Sequence, residues 1–130
     1  MREIEFRGMD ALGVWIYGSL DLTRDRPEIV EEEGCRNSVQ SETVGQYTGM
    51  KDDNGVKIYE GDVVDVVPIL GIHFRGVVKF NSHTSAFDVF REERGDSACL
   101  KDDFSVEVRG NIFDNPELDK QFGELYRKEQ

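Results

Sequence analysis

The chain has 130 residues, 27 of them acidic and 16 basic, for a net charge of −11. A field of that sign repels phosphates, whose attraction supplies most non-specific nucleic-acid binding, so direct duplex binding is not expected. No apolar run approaches the ~20 residues of a membrane-spanning helix, and the charged N-terminal residues form no secretory signal, so a cytoplasmic protein with no membrane contact is expected.

By size, a single domain over 1–130 is expected, burying roughly two thirds of the unfolded surface. In residues 1–18, Arg2 to Arg7 alternates charge with Ile4 and Phe6, which predicts a half-buried strand. Asp10 to Gly13 turns, and Val14 to Tyr17 returns as the second arm of a hairpin. Trp15, the only tryptophan, reads either as a core or rim residue or as an exposed anchor for a partner.

Residues 19–45 read as irregular. Asp21 to Glu33 is acid-rich and ends in Glu31-Glu32-Glu33, the usual sign of a solvated loop. The ligand spacing of a calcium-binding EF-hand loop is missing there, so no metal is expected. Cys35 to Tyr47 holds Val39 and Val44 in polar sequence, which fits two short strands or one bent one.

Residues 46–114 read as a run of short strands and turns. Gln46 to Met50 is extended, and Asn54-Gly55 is a strong hairpin signal because both residues tolerate positive φ. Asp52 and Asp53 are placed to bond nearby backbone amides. Val56 to Tyr59 runs back, Glu60-Gly61-Asp62 bends, and Val63-Val64-Asp65-Val66-Val67 suits a strand packed on both faces or one that switches faces in a small barrel. Pro68 should end it. From Ile69 to Phe80 the inward candidates are Ile72, Phe74, Val78 and Phe80, with Gly76 marking a bulge. Asn81 to Ser85 turns, Phe87 to Phe90 is a strand, and Arg91 to Asp96 is a charged turn. Ser97 to Leu100 is a short strand, Lys101 to Asp103 a turn, and Phe104 to Val108 alternates cleanly towards Asn111. Many short strands with regular turns argue for a barrel or sandwich.

Residues 115–128 differ. Asn115-Pro116 reads as a cap followed by proline at the first helical position. Leu118, Phe122, Leu125 and Tyr126 recur at helical spacing, so one short amphipathic helix is expected. It must dock to be stable, either on its own barrel or on another chain.

The motifs Gln46-Tyr47-Thr48-Gly49, Lys51-Asp52-Asp53-Asn54-Gly55 and Ile58-Tyr59-Glu60-Gly61-Asp62-Val63-Val64 stand between an opening Met1-Arg2-Glu3-Ile4-Glu5-Phe6-Arg7 and a late Gly110-Asn111-Ile112-Phe113-Asp114-Asn115-Pro116-Glu117-Leu118. Together they resemble the YopX-like family of small phage and prophage proteins. The resemblance implies a compact SH3-like β-barrel and a phage origin; with the strands and helix read above, the expected fold is mainly β, a small SH3-like β-barrel of short antiparallel strands with a short C-terminal α-helix. It carries no activity to particular residues. One departure is Gly8-Met9-Asp10, where the family pattern has Ala-Trp-Asp; it bears on how the first strand packs.

Chemistry is sparse. His73 and His83 with Cys35 and Cys99 do not have zinc-ligand spacing, and Cys99 with His83 is a generic pair rather than a nucleophile motif. Both cysteines are expected as free, partly buried thiols. No nucleophile elbow, phosphate loop or dinucleotide fingerprint occurs. Glu60 and Asp62 suit backbone hydrogen bonding at a bend rather than acid–base work. No catalytic, cofactor-binding or metal residue is therefore expected. Tyr47, Tyr59 and Phe74 offer a stacking platform for single strands, without interleaved cations. The leading expectation is a non-enzymatic interaction module with a protein partner or self-association. The alternatives are a nucleic-acid-associated accessory factor, or an acidic inhibitor of a host DNA-binding protein.

Overall fold

A computed structural model describes residues 3–91, 97–100 and 104–128. The fold is mainly β as expected, with two antiparallel sheets, one a half-barrel, and a short C-terminal helix. The turns expected at 92–96 and 101–103 lie outside the described residues. The chain divides into two compact units, Met1–Gly49 and Met50–Gln130.

In the first unit, β1 (Phe6–Met9), β2 (Trp15–Asp21), β3 (Glu28–Val30), β4 (Arg36–Ser38) and the start of β5 (Gly45–Lys51) form one sheet in the order β4-β3-β2-β1-β5. The β1–β2 hairpin forms with Phe6 opposite Gly18 and Met9 opposite Trp15. Asp10 closes its turn, accepting from the amides of Leu12 and Val14 at 2.9 and 3.0 Å. The first strand begins later than the alternation of Arg2 to Arg7 predicts, and Ile4 is exposed. The strand ladder starts at Phe6, which faces both Gly18 and Gln46, with the Glu5 carbonyl accepting the Tyr47 amide just before it at 2.8 Å.

The departure at Gly8 has a packing account. A Cβ built there would lie 3.0 Å from Val39 Cβ, so the side chain of buried Val39 fills the space that a larger residue would take. Thr43, in a 3-10 turn over Ser41–Thr43, accepts the Met9 amide at 2.8 Å and donates to the Gln40 carbonyl at 2.6 Å.

The acid-rich stretch is not all loop. β3 lies within it, with Ile29 fully buried. Asp21 stands opposite Glu28 across β2 and β3, a like-charge pair that would weaken the sheet on its own. Arg36 resolves this by pairing with both carboxylates, at 3.2 Å to Glu28 and in direct contact with Asp21.

In the second unit the order is β10-β9-β8-β7-β11, with β7 (Asp62–Val67), β8 (Phe74–Asn81), β9 (Ala86–Phe90), β10 (Ser97–Cys99) and β11 (Ser105–Asn111); β6 (Lys57–Tyr59) precedes them. Of the two readings of the β7 valines, packing on both faces is the one found, for Val63, Val64 and Val66, while Val67 is exposed. Val64 and Val66 join Ile58, Val78, Val89, Leu100 and Val106 in the inner core. Val63 joins Val77, Ile112, Leu118 and Phe122 in a second core on the outer face, under the helix.

That second core corrects two readings of β8. The strict alternation fails because Val77 and Val78 are both fully buried, one on each face, while Phe80 and Ile72 are exposed. Gly76 is not a bulge: it sits in regular register opposite Val64. It is needed for close approach, since a Cβ there would lie 2.5 Å from the Phe90 carbonyl oxygen. The register shift lies instead in β11, between Val108 and Gly110.

The helix runs as α1 (Pro116–Leu118), a π turn (Asp119–Gly123) and α2 (Glu124–Arg127). It docks on its own sheet through Leu118 and Phe122. Asn115 does not cap it with its side chain; its Oδ1 accepts the Asn111 amide at 3.1 Å instead.

Candidate functional site

The outer face of the second sheet has two halves. The helix covers Val63 and Val77. Beyond it, successive outward positions bring Glu107, Asp65 and Arg75 into one row, with Asp65 opposite Glu107 on β11 and opposite Arg75 on β8. Asp65 is gripped from both sides. Arg75 donates to both of its oxygens, at 2.6 and 3.1 Å, and Arg109 donates Nε to Oδ2 at 2.6 Å. Arg109 also reaches Glu107 at 3.3 Å. Such forked pairing matches the planar guanidinium to the carboxylate and fixes both side chains.

The electrostatics follow. The Arg75 guanidinium holds the Asp65 carboxyl below its ordinary range, helped by Arg109 and opposed by partial burial. Asp65 in turn raises Arg75. These groups, with Val66, Val67, His73, Phe74 and Ser105, line a trough of about 410 Å³. Arg91 lies over the Phe74 ring, 4.7 Å from its centroid.

Beside the trough stands an apolar prong, the β7–β8 connection. Val67, Ile69, Leu70 and Ile72 are 38, 71, 91 and 83% exposed. Pro68 ends β7 as expected, and nothing folds the prong back into either core.

The motif residues do structural work. Asp52 Oδ1 accepts the amides of Asn54 and Val56, both at 2.9 Å, and Gly55 takes the positive φ of the turn. Asp62 accepts the Tyr59 amide at 2.8 Å. Gly61, at φ +90°, leaves room for Phe113, which a Cβ would meet at 2.7 Å. Asn111 Oδ1 accepts the amides of Phe113 and Asp114, both at 2.8 Å. A family model described as YopX protein matches residues 5–119. The chain belongs to the YopX family. Comparison with curated proteins gives no match. In this YopX chain the matched motifs thus fix turns and strand ends, and the prong and trough lie between them.

Other sequence candidates fall elsewhere. Tyr47 and Tyr59 are both 4% exposed, so they belong to packed interiors and cannot offer a stacking platform. Trp15 is partly buried with the Arg7 guanidinium 4.4 Å from its ring centroid. Cys35 and Cys99 are free as expected but exposed rather than partly buried, because each ends up on or beside a short border strand. His73 lines the trough, while the His83 amide serves the β8–β9 turn by donating to Asn81 at 2.9 Å. Among the described residues, no group of three His, Cys, Asp or Glu side chains could hold a metal, and no helix is long and apolar enough to cross a membrane.

The sequence reading missed Asp65, Arg75 and Arg109 as a set. A signal was present. From Val66 to Phe87 there is no acidic residue, in a chain with 27 of them.

Proposed function

We propose that this YopX-family chain is a non-catalytic protein-interaction module, of phage or prophage origin and working in the bacterial cytoplasm, that makes contact through the β7–β8 prong. The exposure of Ile69, Leu70 and Ile72 side by side carries this reading. Burying one such side chain is worth about 1.5–3 kcal/mol. Single exposed aliphatic residues need no explanation, but a contiguous set rimmed by charges marks a contact surface. The rigid sheet beneath, locked by the forked arginines, gives that contact a fixed orientation.

The test places a photo-reactive residue at Leu70 of the full chain in bacterial cells, and in a separate variant at Leu22, which is 68% exposed in the first unit. A discrete protein adduct is expected from position 70 and not from position 22. Equal labelling from both, or none from position 70, would overturn the proposal.

A further inference from the structure

The central turn carries covalent chemistry of its own. We infer that Asn54-Gly55 is a self-modification site, at which the chain deamidates its own Asn54, and that the Asp52 carboxylate keeps this site closed in the folded protein.

The reaction needs only water and base. The Gly55 nitrogen, once it gives up its proton, attacks Asn54 Cγ. An N–Cγ bond forms, the Cγ–Nδ2 bond breaks, and the side-chain nitrogen leaves as ammonia, taking a proton back from solvent. The five-membered imide then takes up one water. Opening at Cγ leaves aspartate. Opening at the Asn54 main-chain carbonyl carbon leaves isoaspartate, whose backbone runs through the former side chain. Glycine in the second position favours the attack because no Cβ obstructs it.

The chain has five asparagines, and four are badly placed for this. Asn115 precedes Pro116, whose nitrogen carries no proton. Asn81 and Asn111 are buried, and their side-chain nitrogens donate to Asp88 and Asp114 at 2.9 and 3.0 Å. Asn37 is held in β4 opposite Ile29, and Ser38 brings a Cβ to the approach. Asn54 and Gly55 are both exposed, and a Cβ built on Gly55 would meet nothing within 4 Å. The pair is therefore open to water and base.

What restrains it is the turn. The Gly55 amide donates to the Asp52 carbonyl at 3.0 Å, so the proton that must leave is engaged. The amides on either side, of Asn54 and Val56, are both pinned on Asp52 Oδ1 at 2.9 Å. Attack requires the reacting atoms to be aligned at about 3–3.5 Å. Freeing the Gly55 proton and turning the peptide between those two anchors breaks the bonds that Asp52 makes. The reaction thus proceeds only through local opening, at a rate set by the share of time the turn is open. It is also one-way. The product sets a third carboxylate beside Asp52 and Asp53, and isoaspartate lengthens the backbone inside a turn that Asp52 ties to Val108.

Peptide mapping by mass spectrometry tests this on the purified full chain at mildly alkaline pH. Conversion at residue 54 is expected to be slow in the folded chain and fast in denaturant, where Asn54 should lead the five asparagines. In native buffer Asp52→Ala is expected to speed it about tenfold, the factor that fits loss of a part-buried acceptor. Asp52→Ser, which keeps one acceptor oxygen, should fall between. Val77→Ala, which truncates a buried core residue outside the turn, should leave the rate unchanged. A folded chain that converts as fast as the denatured one would overturn the role of Asp52, as would equal acceleration by Val77→Ala and Asp52→Ala. No conversion at residue 54 in the denatured or Asp52→Ala chain would overturn the site itself. The isoaspartyl product, separated by ion exchange, has its own readout. Its urea midpoint is expected below that of Asn54→Asp, which has the same charge and an ordinary backbone; equal midpoints would overturn the loosening of the turn.

Discussion

The carboxylate of Asp52 accepts the Val108 amide at 3.0 Å although 56 residues separate them. The other oxygen of the same side chain holds the amides of Asn54 and Val56. One carboxylate therefore ties the central turn to itself and to β11. Its neighbour extends the tie: the Asp53 amide donates to the Val106 carbonyl at 2.9 Å, its Oδ1 accepts the Val106 amide at 3.3 Å, and Ser105 donates to its Oδ2.

Asp52→Ala should therefore be costly for a turn substitution. It leaves three amides without their acceptor in a part-buried setting, and an unsatisfied buried donor costs about 1–3 kcal/mol. The expected outcome is a lower urea midpoint with an unchanged m-value. Asp52→Asn, which keeps one acceptor oxygen, should lose less.

Acid should destabilise the fold through three named carboxyls. Burial raises Asp52, but the amides of Val108, Val56 and Asn54 together outweigh it and hold the group below 3.8. Arg75 holds Asp65 low, and Thr23 followed by Arg36 takes Asp21 down to about 2. Each folded value lies below the unfolded one. The stability they supply is thus complete above the unfolded value and is lost as pH falls through the folded values. Urea midpoints should hold steady down to about pH 5 and fall between about pH 4 and 2. Asp52→Asn should flatten that fall; an unchanged slope in this variant would show that Asp52 contributes nothing to it.

Phe122→Ala should rank among the most damaging substitutions in the helix. Phe122 is 1% exposed and packs with Val63, Val77 and Ile112. Truncating a buried phenylalanine costs about 3–5 kcal/mol. Thermal unfolding should shift down sharply, and a dye that binds exposed apolar surface should fluoresce more strongly. By contrast, Arg127→Ala removes only a surface pair with Asp119 at 2.9 Å and should cost about 1 kcal/mol or less.

Gly76→Ala should destabilise without any backbone strain at its own φ. The added methyl would lie 2.5 Å from the Phe90 carbonyl oxygen and 2.6 Å from Val89 Cγ1, so β8 and β9 must move apart. Overpacking of this kind costs about 1–3 kcal/mol. A melting temperature equal to wild type would show that the two strands separate freely.

Local signals were legible in the sequence and long-range ones were not. Asn54-Gly55, Pro68 and Asn115-Pro116 mark the turn, the strand end and the helix start because each acts on its own backbone. The double burial of β7 was legible because valine recurs without alternation. Phe80 and Ile72 were misread because periodicity says which residues share a face, not what covers it. The helix buries Val77 on the outer face, and the prong leaves Ile72 in solvent. The acid-rich stretch hid β3 because the residue that neutralises it, Arg36, comes from the next strand. The site was missed for a related reason. Asp65, Arg75 and Arg109 are separated in sequence and meet only through strand register, while the lack of acids around them is an omission, which motif reading does not look for.

The tie between Asp52, Asp53 and β11 also shields part of a sheet border. The Val106 amide and carbonyl and the Val108 amide are spent on the chain's own turn, so a foreign β-strand meets fewer open ladder groups along that border. At the opposite border of this sheet, among the described residues, β10 offers Ser97–Cys99. The edge-to-edge stacking that unprotected sheet borders invite is therefore hindered along this part of β11.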